Sequence, residues 1–168
     1  MRILLLSDTH GHMDEAILAH AQEADEIWHA GDIGPLNSLG ELAHLRPFRA
    51  VFGNIDGSDV RQTYPQDLHF TCEGARVWMT HIGGYPGRFP PRIRQELDTA
   101  RPDIFVCGHS HILKVMRDPK RDLLCLNPGA AGHNGFHKQR TMLRFTLTDG
   151  RPGDMAVIEL GPRGRNTR

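Results

Sequence analysis

Five apolar runs in this sequence are each followed, within a few residues, by side chains that can bind a metal ion. In chain order these side chains are Asp8, His10, Asp32, Asn54, His81, His109 and His111. Residues two apart in an extended chain point to the same side, so each Asp-x-His or His-x-His pair can reach a single site. If the five runs end at one place, the sequence predicts a cluster of oxygen and imidazole donors.

The types of donor indicate which metals would bind. Mixed oxygen and imidazole donors without cysteine suit Mn²⁺, Fe, Zn²⁺, Ni²⁺ or Co²⁺, whereas a Mg²⁺ site would use fewer nitrogen ligands. Seven ligands are too many for one such ion. Two ions about 3.5–4 Å apart can share one carboxylate and use the whole set. We therefore expect two divalent transition-metal ions, with Mn²⁺ first among the candidates.

The charge of such a site indicates its substrate. Two divalent ions and two carboxylates leave about two units of positive charge before any hydroxide binds. A phosphate ester is the biological anion that suits this charge, and a hydroxide that bridges the two ions is a ready nucleophile. Turn formation alone explains an isolated Gly-Asp or Gly-Asn, but it does not explain the whole set of donors.

The remaining histidines of the 11 in the chain are less informative. An isolated histidine is more often a surface residue or a hydrogen-bonded core residue than a ligand, and this interpretation is preferred for His20, His44 and His69. Four others could line the site, namely His12, His29, His133 and His137.

The elements that would position the donors alternate between strand and helix over the first two thirds of the chain. Predicted strands cover residues 3–6, 27–30, 49–52, 68–72, 76–80 and 103–107, and predicted helices cover 16–24, 36–45 and 90–100. The last third contains four more strand-like runs, at 113–117, 123–126, 141–147 and 155–160. This order predicts two packed sheets with helices outside. Ligands gather at the carboxyl ends of strands in open α/β sheets, so the donors should converge there.

Length and composition predict one ordinary globular domain. The chain has 168 residues, with 20 Lys and Arg against 20 Asp and Glu, so its net charge does not favour nucleic acid or an anionic membrane as partner. We expect the domain to cover residues 1–160 and a flexible basic tail to cover 161–168. Three separated cysteines, no signal peptide and no membrane span together favour a cytoplasmic protein.

The donors stand in five short blocks, SDTH, AGDIG, GNID, THIGG and CGHSH. As an ordered set, these blocks resemble the pattern of the calcineurin-like metallophosphoesterase superfamily. The chain looks most like the small single-domain phosphodiesterases of bacteria and archaea, which are related to a retromer-coat subunit. The sequence LNPG at residues 126–129 is also typical of that subgroup. The resemblance implies an α/β fold, a four-layer α/β/β/α sandwich of two mixed sheets flanked by helices.

The resemblance also implies roles for the donors. One metal would bind Asp8, His10, His111 and a bridging Asp32, and the other would bind Asp32, Asn54, His81 and His109. Asp32 and Asn54 would then take part in catalysis directly. The implied substrate is a small phosphodiester, attacked in line by the bridging hydroxide.

Three positions depart from the family pattern. The family has a histidine after Gly-Asn that is thought to protonate the leaving group, and Ile55 stands there instead. Asp56, His133, His137 or water could supply the proton, and leaving groups of low pKa should be favoured. Many relatives have His-Gly-His where this chain has His81-Ile82-Gly83, so the second of those histidines is absent here. Ala130 stands where the serine after Asn-Pro-Gly is usual.

Several functional alternatives stay open at this point. The retromer-coat relative makes a metal-binding scaffold with little turnover a second hypothesis. A phosphomonoesterase or a nuclease would share the same metal site, although the neutral charge makes nucleic acid a less favoured substrate. Self-association into a homo-oligomer is also compatible with the resemblance.

Overall fold

The computed structural model describes residues 1–164, which form ten strands and four α-helices. The first half contains β1 (Arg2–Leu6), α1 (Glu15–Glu23), β2 (Glu26–His29), α2 (Leu42–Leu45), β3 (Phe48–Ala50), α3 (Ser58–Thr63), β4 (Asp67–Cys72) and β5 (Ala75–Thr80). The second half contains α4 (Pro91–Ala100), β6 (Ile104–Val106), β7 (Lys114–Asp118), β8 (Leu123–Asn127), β9 (Gln139–Thr148) and β10 (Arg151–Pro162). Each predicted strand therefore has a counterpart in the fold.

The strands form two mixed sheets of five strands each. The first sheet has the order β10-β9-β1-β2-β3, and the second has the order β4-β5-β6-β8-β7. Within the first sheet, β1, β2 and β3 are parallel. Within the second sheet, β5, β6 and β8 are parallel. Parallel neighbours end on the same side, so each sheet presents several carboxyl ends at one edge.

Three apolar clusters hold the layers together. The largest lies between the sheets and contains Ile3, Leu5 and Trp28 from the first sheet with Val77, Met79 and Val106 from the second. A second cluster packs Ile17 and Ala21 of α1 onto the outer face of the first sheet. A third packs Ile93 and Leu97 of α4 onto the second sheet. The predicted four-layer α/β/β/α sandwich is confirmed.

Helix boundaries follow local chemistry, with one prediction corrected. Asp14 caps α1, where its Oδ1 accepts a hydrogen bond from the Ile17 amide at 3.0 Å. The single helix predicted over residues 36–45 is wrong. It is divided into a 3-10 turn, Leu36–Leu39, and the short α2, because Gly40 adopts φ 48° and ψ −122°. Helix α3 was not predicted from the sequence.

The end of the described chain bears on the expected tail. Strand β10 continues to Pro162, two residues past the expected domain boundary. The Arg163 amide then donates to the Lys138 carbonyl at 2.9 Å, so residues 161–163 are paired with the domain. Residues 165–168, where the rest of the expected tail falls, lie outside the described residues. Within residues 1–164, no helix has the length and apolar character needed to cross a membrane.

Candidate metal centre

The five predicted strand ends meet at one place. Hydrogen bonds connect the turns that follow β1 and β2, because the amides of Asp8 and His10 donate to the carbonyls of Gly31 and Asp32 at 3.0 Å each. The turn after β6 is connected to the end of β5, where the Gly108 amide donates to the His81 carbonyl at 2.9 Å. The Asp8 side chain connects the two sheets, since its Oδ2 accepts from the His109 amide at 3.1 Å.

Most of the predicted ligands have an unusual backbone conformation. Five of them have positive φ angles, namely Asp8 (54°), His10 (47°), Asp32 (53°), His109 (68°) and His111 (58°). This region is uncommon for residues other than glycine. Such conformations cost about 1–3 kcal/mol each and cluster at functional sites, where the surrounding structure holds them in place. The strand ends are therefore shaped to direct side chains, at some expense in local backbone energy.

The first group of ligand atoms comes from Asp8, His10 and His111, and all of them lie within 4.8 Å of one another. The Asp8 Oδ1 atom lies 3.1 Å from Nε2 of His111 and 3.9 Å from Nε2 of His10. The other carboxylate oxygen of Asp8 is already bonded to the Ser7 hydroxyl, at 2.7 Å. Oδ1 is thus the oxygen available to an ion.

The second group comes from Asp32, His81 and His109, again within 4.8 Å. Nδ1 of His109 lies 2.9 Å from Oδ1 of Asn54, which adds the amide to this group. Asp32 connects the two groups, because its Oδ1 lies 3.2 Å from Nε2 of His81 and its Oδ2 lies 3.4 Å from Nε2 of His10. This is the arrangement expected of a carboxylate shared by two ions.

Three buried atoms of this centre have no hydrogen-bond partner among the described residues, namely Oδ1 of Asp8 and the Nε2 atoms of His10 and His81. Buried polar atoms without a partner are rare and costly, and each one requires an explanation. A cation at the first group would satisfy Asp8 and His10, and a cation at the second would satisfy His81. The donor set and its geometry therefore fit the metal ions expected from the sequence.

The ligand His81 has a defined tautomer. Its Nδ1 lies 2.7 Å from the Ala30 carbonyl, which can only accept a hydrogen bond, so Nδ1 carries the proton. Its Nε2 is then free to bind a metal, and such second-sphere bonds are common behind metal-binding histidines. Burial lowers the pKa of His81, but the close contact with the Asp32 carboxylate and the charges of Asp8 and Asp32 outweigh that effect and raise it.

The charge state of two further ligands follows from burial and neighbours. Burial lowers the pKa of His10 more than the nearby Asp32 and Asp8 raise it. Burial raises the pKa of Asp32, but the close contact with His81 and its charge, with smaller contributions from the Ile55 amide and His10, leave it below its ordinary value. An ionised carboxylate beside a neutral imidazole is the combination that a divalent cation requires.

Two glycines permit the close packing of this centre. A Cβ atom at Gly53 would overlap the Asp32 carboxylate, and a Cβ atom at Gly108 would overlap Ser7 and the Asp8 carboxylate. Both glycines directly precede a ligand, in the blocks GNID and CGHSH. In the structure the close neighbour of both glycines is a carboxylate ligand.

Asp56 has a different environment from the other predicted site residues. Its two oxygens accept hydrogen bonds from the backbone amides of Gly34 and Gly53, at 2.8 and 2.7 Å. Both carboxylate oxygens of Asp56 are therefore occupied by backbone donors. The suggestion that Asp56 acts as the missing acid stays a prediction, and its contacts in the structure are those of a residue that holds two site turns together.

Some supporting residues were not identified from the sequence as part of the site. Ser7 precedes the first ligand directly and could have been found from that position. His29 was considered only as a lining residue, but it is fully buried beneath the turns. Its Nδ1 accepts from the Gly31 amide at 3.2 Å, and its Nε2 lies 3.0 Å from the Thr9 hydroxyl. Burial lowers the pKa of His29 to about 4, so the ring is neutral.

A loop between β8 and β9, residues 128–138, forms one wall beside the first group. We call it the histidine loop because it contains His133 and His137. His137 contacts the ligand His111, with 3.2 Å between their Nδ1 atoms. His133 contacts His12 instead, with 3.2 Å between their Nε2 atoms. Of these two loop histidines, only His137 directly contacts a predicted ligand.

Comparison with known proteins agrees with this geometry. Residues 1–150 match the family model of the calcineurin-like phosphoesterase superfamily domain. The chain belongs to this superfamily. A relative named as a probable metallophosphoesterase, from Methanothermobacter thermautotrophicus, is 31% identical over 135 residues, which is 77% of this chain and 77% of that protein. The superfamily is metal-dependent, and membership supports phosphoesterase activity.

Solved structures share the fold at low sequence identity. Vps29 from Entamoeba histolytica in complex with Zn²⁺ aligns with a TM-score of 0.73 at 15% identity, over 98% of this chain and 100% of that one. A structure described as a novel archaeal phosphodiesterase aligns with a TM-score of 0.71 at 18% identity, over 95% of this chain and 100% of that one. At these identities the superfamily fold is shared, and function has to be argued from the site.

Proposed function

We propose that this metallophosphoesterase binds two divalent transition-metal ions and hydrolyses small phosphodiesters. The observation that carries the proposal is the position of Asp32, which has one carboxylate oxygen within 3.2 Å of His81 and the other within 3.4 Å of His10. One side chain thus reaches both groups of donors. The unpartnered buried atoms of Asp8, His10 and His81 support the same proposal.

The residues divide between the two ions. Asp8, His10 and His111 would hold one ion, Asn54, His81 and His109 the other, and Asp32 both. When bound, the ions would supply a hydroxide nucleophile at neutral pH and neutralise charge on the phosphoryl group. Asn54 is an uncharged ligand, so the second ion would keep more of its positive charge than it would beside an added carboxylate.

The residues near the leaving group favour a particular kind of substrate. Ile55 is 46% exposed and offers no proton. Asp56, the next acid along the chain, is held by two backbone amides. We therefore propose that substrates whose leaving groups have a low pKa react fastest, because they need no general acid. General acid catalysis contributes about 10²–10⁴-fold to the rate in other enzymes.

We propose Mn²⁺ as the first metal to test, because the mixed carboxylate, amide and imidazole donors suit it as well as Fe, Zn²⁺, Ni²⁺ or Co²⁺. The balanced charge of the chain, with 20 acidic and 20 basic residues, supports small substrates over nucleic acids.

We also propose that the protein is cytoplasmic and that it self-associates. Fractionation of the source cells would test the location, and light scattering would test the self-association.

The decisive experiment compares Mn²⁺-loaded protein with its variants on bis(p-nitrophenyl) phosphate, a diester with a leaving group of low pKa. We expect Asp32→Asn and His109→Ala each to lower kcat/KM by about 10²-fold or more, because both remove stabilisation of developing charge. His44→Ala, at an exposed position far from the strand ends in sequence, is the matched control and should retain activity. Full activity in both site variants would contradict the proposed mechanism.

A scaffold function is the second candidate. Two observations favour it, namely the structural similarity to Vps29 and the apolar Ile55 where the family acid is expected. The two candidates differ in one measurable respect. Tightly bound metal, measured by elemental analysis, without turnover of any diester would favour the scaffold over the enzyme.

A further inference from the structure

A cleft of about 350 Å³ opens beside the second group of donors. Asn54 and His81 form part of its wall, so the cleft is continuous with the proposed metal centre. Its volume is in the range of clefts that bind small organic molecules, about 300–1,000 Å³. An ester group attached to a phosphate at the metal centre could therefore extend into it.

The rest of the wall is largely apolar. Phe52, Ile82, Pro90 and Ile93 contribute side chains to it. Ile82 is 47% exposed although it directly follows a buried ligand. Ile55 and Ile112, at 46% and 56% exposed, also directly follow proposed ligands. Of these three isoleucines, Ile82 is the one that lines the cleft, where it offers exposed apolar surface to an ester group.

Two arginines also line the cleft, but both are already engaged. Arg92 bonds to the Asp67 carboxylate at 3.2 Å. Arg61 donates to the backbone carbonyl of Asp56 at 2.6 Å, and its guanidinium lies 4.5 Å from the centre of the Phe52 ring. Neither arginine is held ready for a second phosphate, so the apolar wall determines what the cleft prefers.

We propose that this cleft binds one ester group of the substrate and that the group is an uncharged aryl or branched alkyl group. The inference rests on the proposed function, since the metal centre must hold the phosphate. It adds a substrate class, namely phosphodiesters that carry a bulky apolar group rather than a small or highly charged one.

The test uses phosphonates, which have a single organic group and are not hydrolysed. Binding of phenylphosphonate and methylphosphonate to Mn²⁺-loaded protein is measured by calorimetry. We expect the phenyl compound to bind about tenfold more tightly, because the ring buries additional apolar surface. Ile82→Asn should reduce this ratio to about twofold, because a polar wall gains little from the ring. Val157→Asn, at an exposed apolar position on β10, is the matched control and should keep the tenfold ratio.

Each outcome bears on one proposal. Equal binding of the two phosphonates, or an unchanged ratio in Ile82→Asn, would overturn the cleft and leave phosphodiester hydrolysis standing. A preserved preference for phenylphosphonate together with no turnover of any diester would support the cleft and overturn the enzymatic function. Lack of metal-dependent binding by either phosphonate would overturn both.

A second inference concerns His137, which lies behind the ligand His111. Its Nε2 lies 3.0 Å from the Gly132 carbonyl, and its Nδ1 lies 3.2 Å from Nδ1 of His111. A carbonyl can only accept, so Nε2 of His137 carries a proton. If His137 is neutral, its Nδ1 is then an acceptor, and Nδ1 of His111 must be the donor.

This arrangement determines which nitrogen of His111 can bind a metal. A proton on Nδ1 leaves Nε2 of His111 as a free lone pair, and that atom faces the Asp8 carboxylate at 3.1 Å. The loop backbone packs against the same ring, because a Cβ atom at Gly135 would overlap His111. We infer that His137 is a positioning residue that fixes the tautomer and orientation of His111 from the histidine loop.

The test for His137 measures metal affinity and an NMR signal. Mn²⁺ affinity should fall about 10–100-fold in His137→Ala, the loss typical of second-sphere variants, and should partly recover in His137→Asn, whose amide oxygen can accept from His111. In protein loaded with diamagnetic Zn²⁺, the Nδ1–H resonance of His111 should be protected from exchange with water and should broaden in His137→Ala. His133→Ala, from the same loop, should leave both measurements unchanged.

Two results would overturn this second inference. One is an unaltered Mn²⁺ affinity in a folded His137→Ala protein. The other is a His111 Nδ1–H resonance in the Zn²⁺-loaded wild type that exchanges as fast as that of an exposed histidine, because no acceptor would then protect it.

Discussion

Two regions of the molecule support the metal centre, and they do so by different means. The turn after β2, residues 30–34, supports His81 through the Ala30 backbone carbonyl, at 2.7 Å from Nδ1. The histidine loop supports His111 through the His137 side chain, at 3.2 Å. Both place an acceptor behind a ligand, but only the second acceptor can be removed by a substitution.

The difference extends to burial. His81 is 3% exposed at its side chain, whereas His111 is 14% exposed. The β2 turn is buried and hydrogen-bonded to the end of the parallel strand β1, since the Ala30 amide donates to the Leu6 carbonyl at 2.9 Å. The histidine loop is buried over residues 128–132, and its part that carries the two histidines, residues 133–138, is half-buried or exposed. The comparison suggests that the β2 side contributes to the fold itself, whereas the loop side contributes mainly to ligand geometry.

The largest effect should come from the β2 side, in the variant Gly53→Ala. Its new Cβ would overlap the Asp32 carboxylate, the one ligand that reaches both groups. We expect loss of measurable turnover and a decrease in metal affinity of about 100-fold, which titration calorimetry would measure. Gly57→Ala, in the same connection between β3 and α3, meets only Asp59 at 3.3 Å and should behave like wild type. Wild-type affinity in Gly53→Ala would show that Asp32 is not held where the turn places it.

The next effect should appear in the pH dependence of stability, through His29 beneath the β2 turn. Burial lowers its folded pKa to about 4 from the ordinary value of 6.5. Between these two values the unfolded chain binds the proton and the folded chain does not, so stability should fall as the pH falls from 6.5 to 4. The loss attributable to this ring should approach about 3 kcal/mol.

Urea denaturation of the metal-free protein at several pH values would measure this loss, with His29→Gln as the comparison. Glutamine retains polar atoms for the Thr9 and Gly31 contacts but does not titrate. The variant should therefore lose less stability than wild type between pH 6.5 and 4. Parallel curves for the two proteins would mean that His29 is not the group responsible.

The metal centre can be predicted from the sequence better than the residues that support it, for a physical reason. An apolar run that ends in Asp, Asn or His is a local pattern, and parallel strands align their carboxyl ends whatever the intervening helices do. The convergence of Asp8, Asp32 and His111 could therefore be predicted from short segments. The positive φ angles of Asp8 and His109 could not, because tertiary contacts rather than local preference hold them.

The supporting residues depend on partners distant in the sequence. His137 is 26 residues from His111, and His29 is 20 residues from Thr9. Asp56 follows the Gly-Asn block, which favoured a catalytic role, but its carboxylate bonds to Gly34, 22 residues away. No periodicity encodes such contacts.

The helix predicted over residues 36–45 was wrong for a local reason. Its apolar residues continue a helical pattern, but the backbone conformation of Gly40 interrupts the helix.

The smallest effect compares the two supported histidines directly, in metal-free protein. His81→Ala removes a buried ring and leaves the Ala30 carbonyl without its donor, which should lower the free energy of unfolding by about 2 kcal/mol. His111→Ala removes a more exposed ring whose partner is itself a side chain that can turn to water, so we expect a loss below about 1 kcal/mol. Urea denaturation in the presence of a chelator would measure both values. Equal losses would mean that the histidine loop is as integral to the fold as the β2 turn, and a larger loss for His111→Ala would reverse the comparison. We predict the larger loss for His81→Ala because its acceptor, the Ala30 carbonyl, belongs to the backbone and cannot turn toward water. The acceptor of His111 is the His137 side chain, which can rotate.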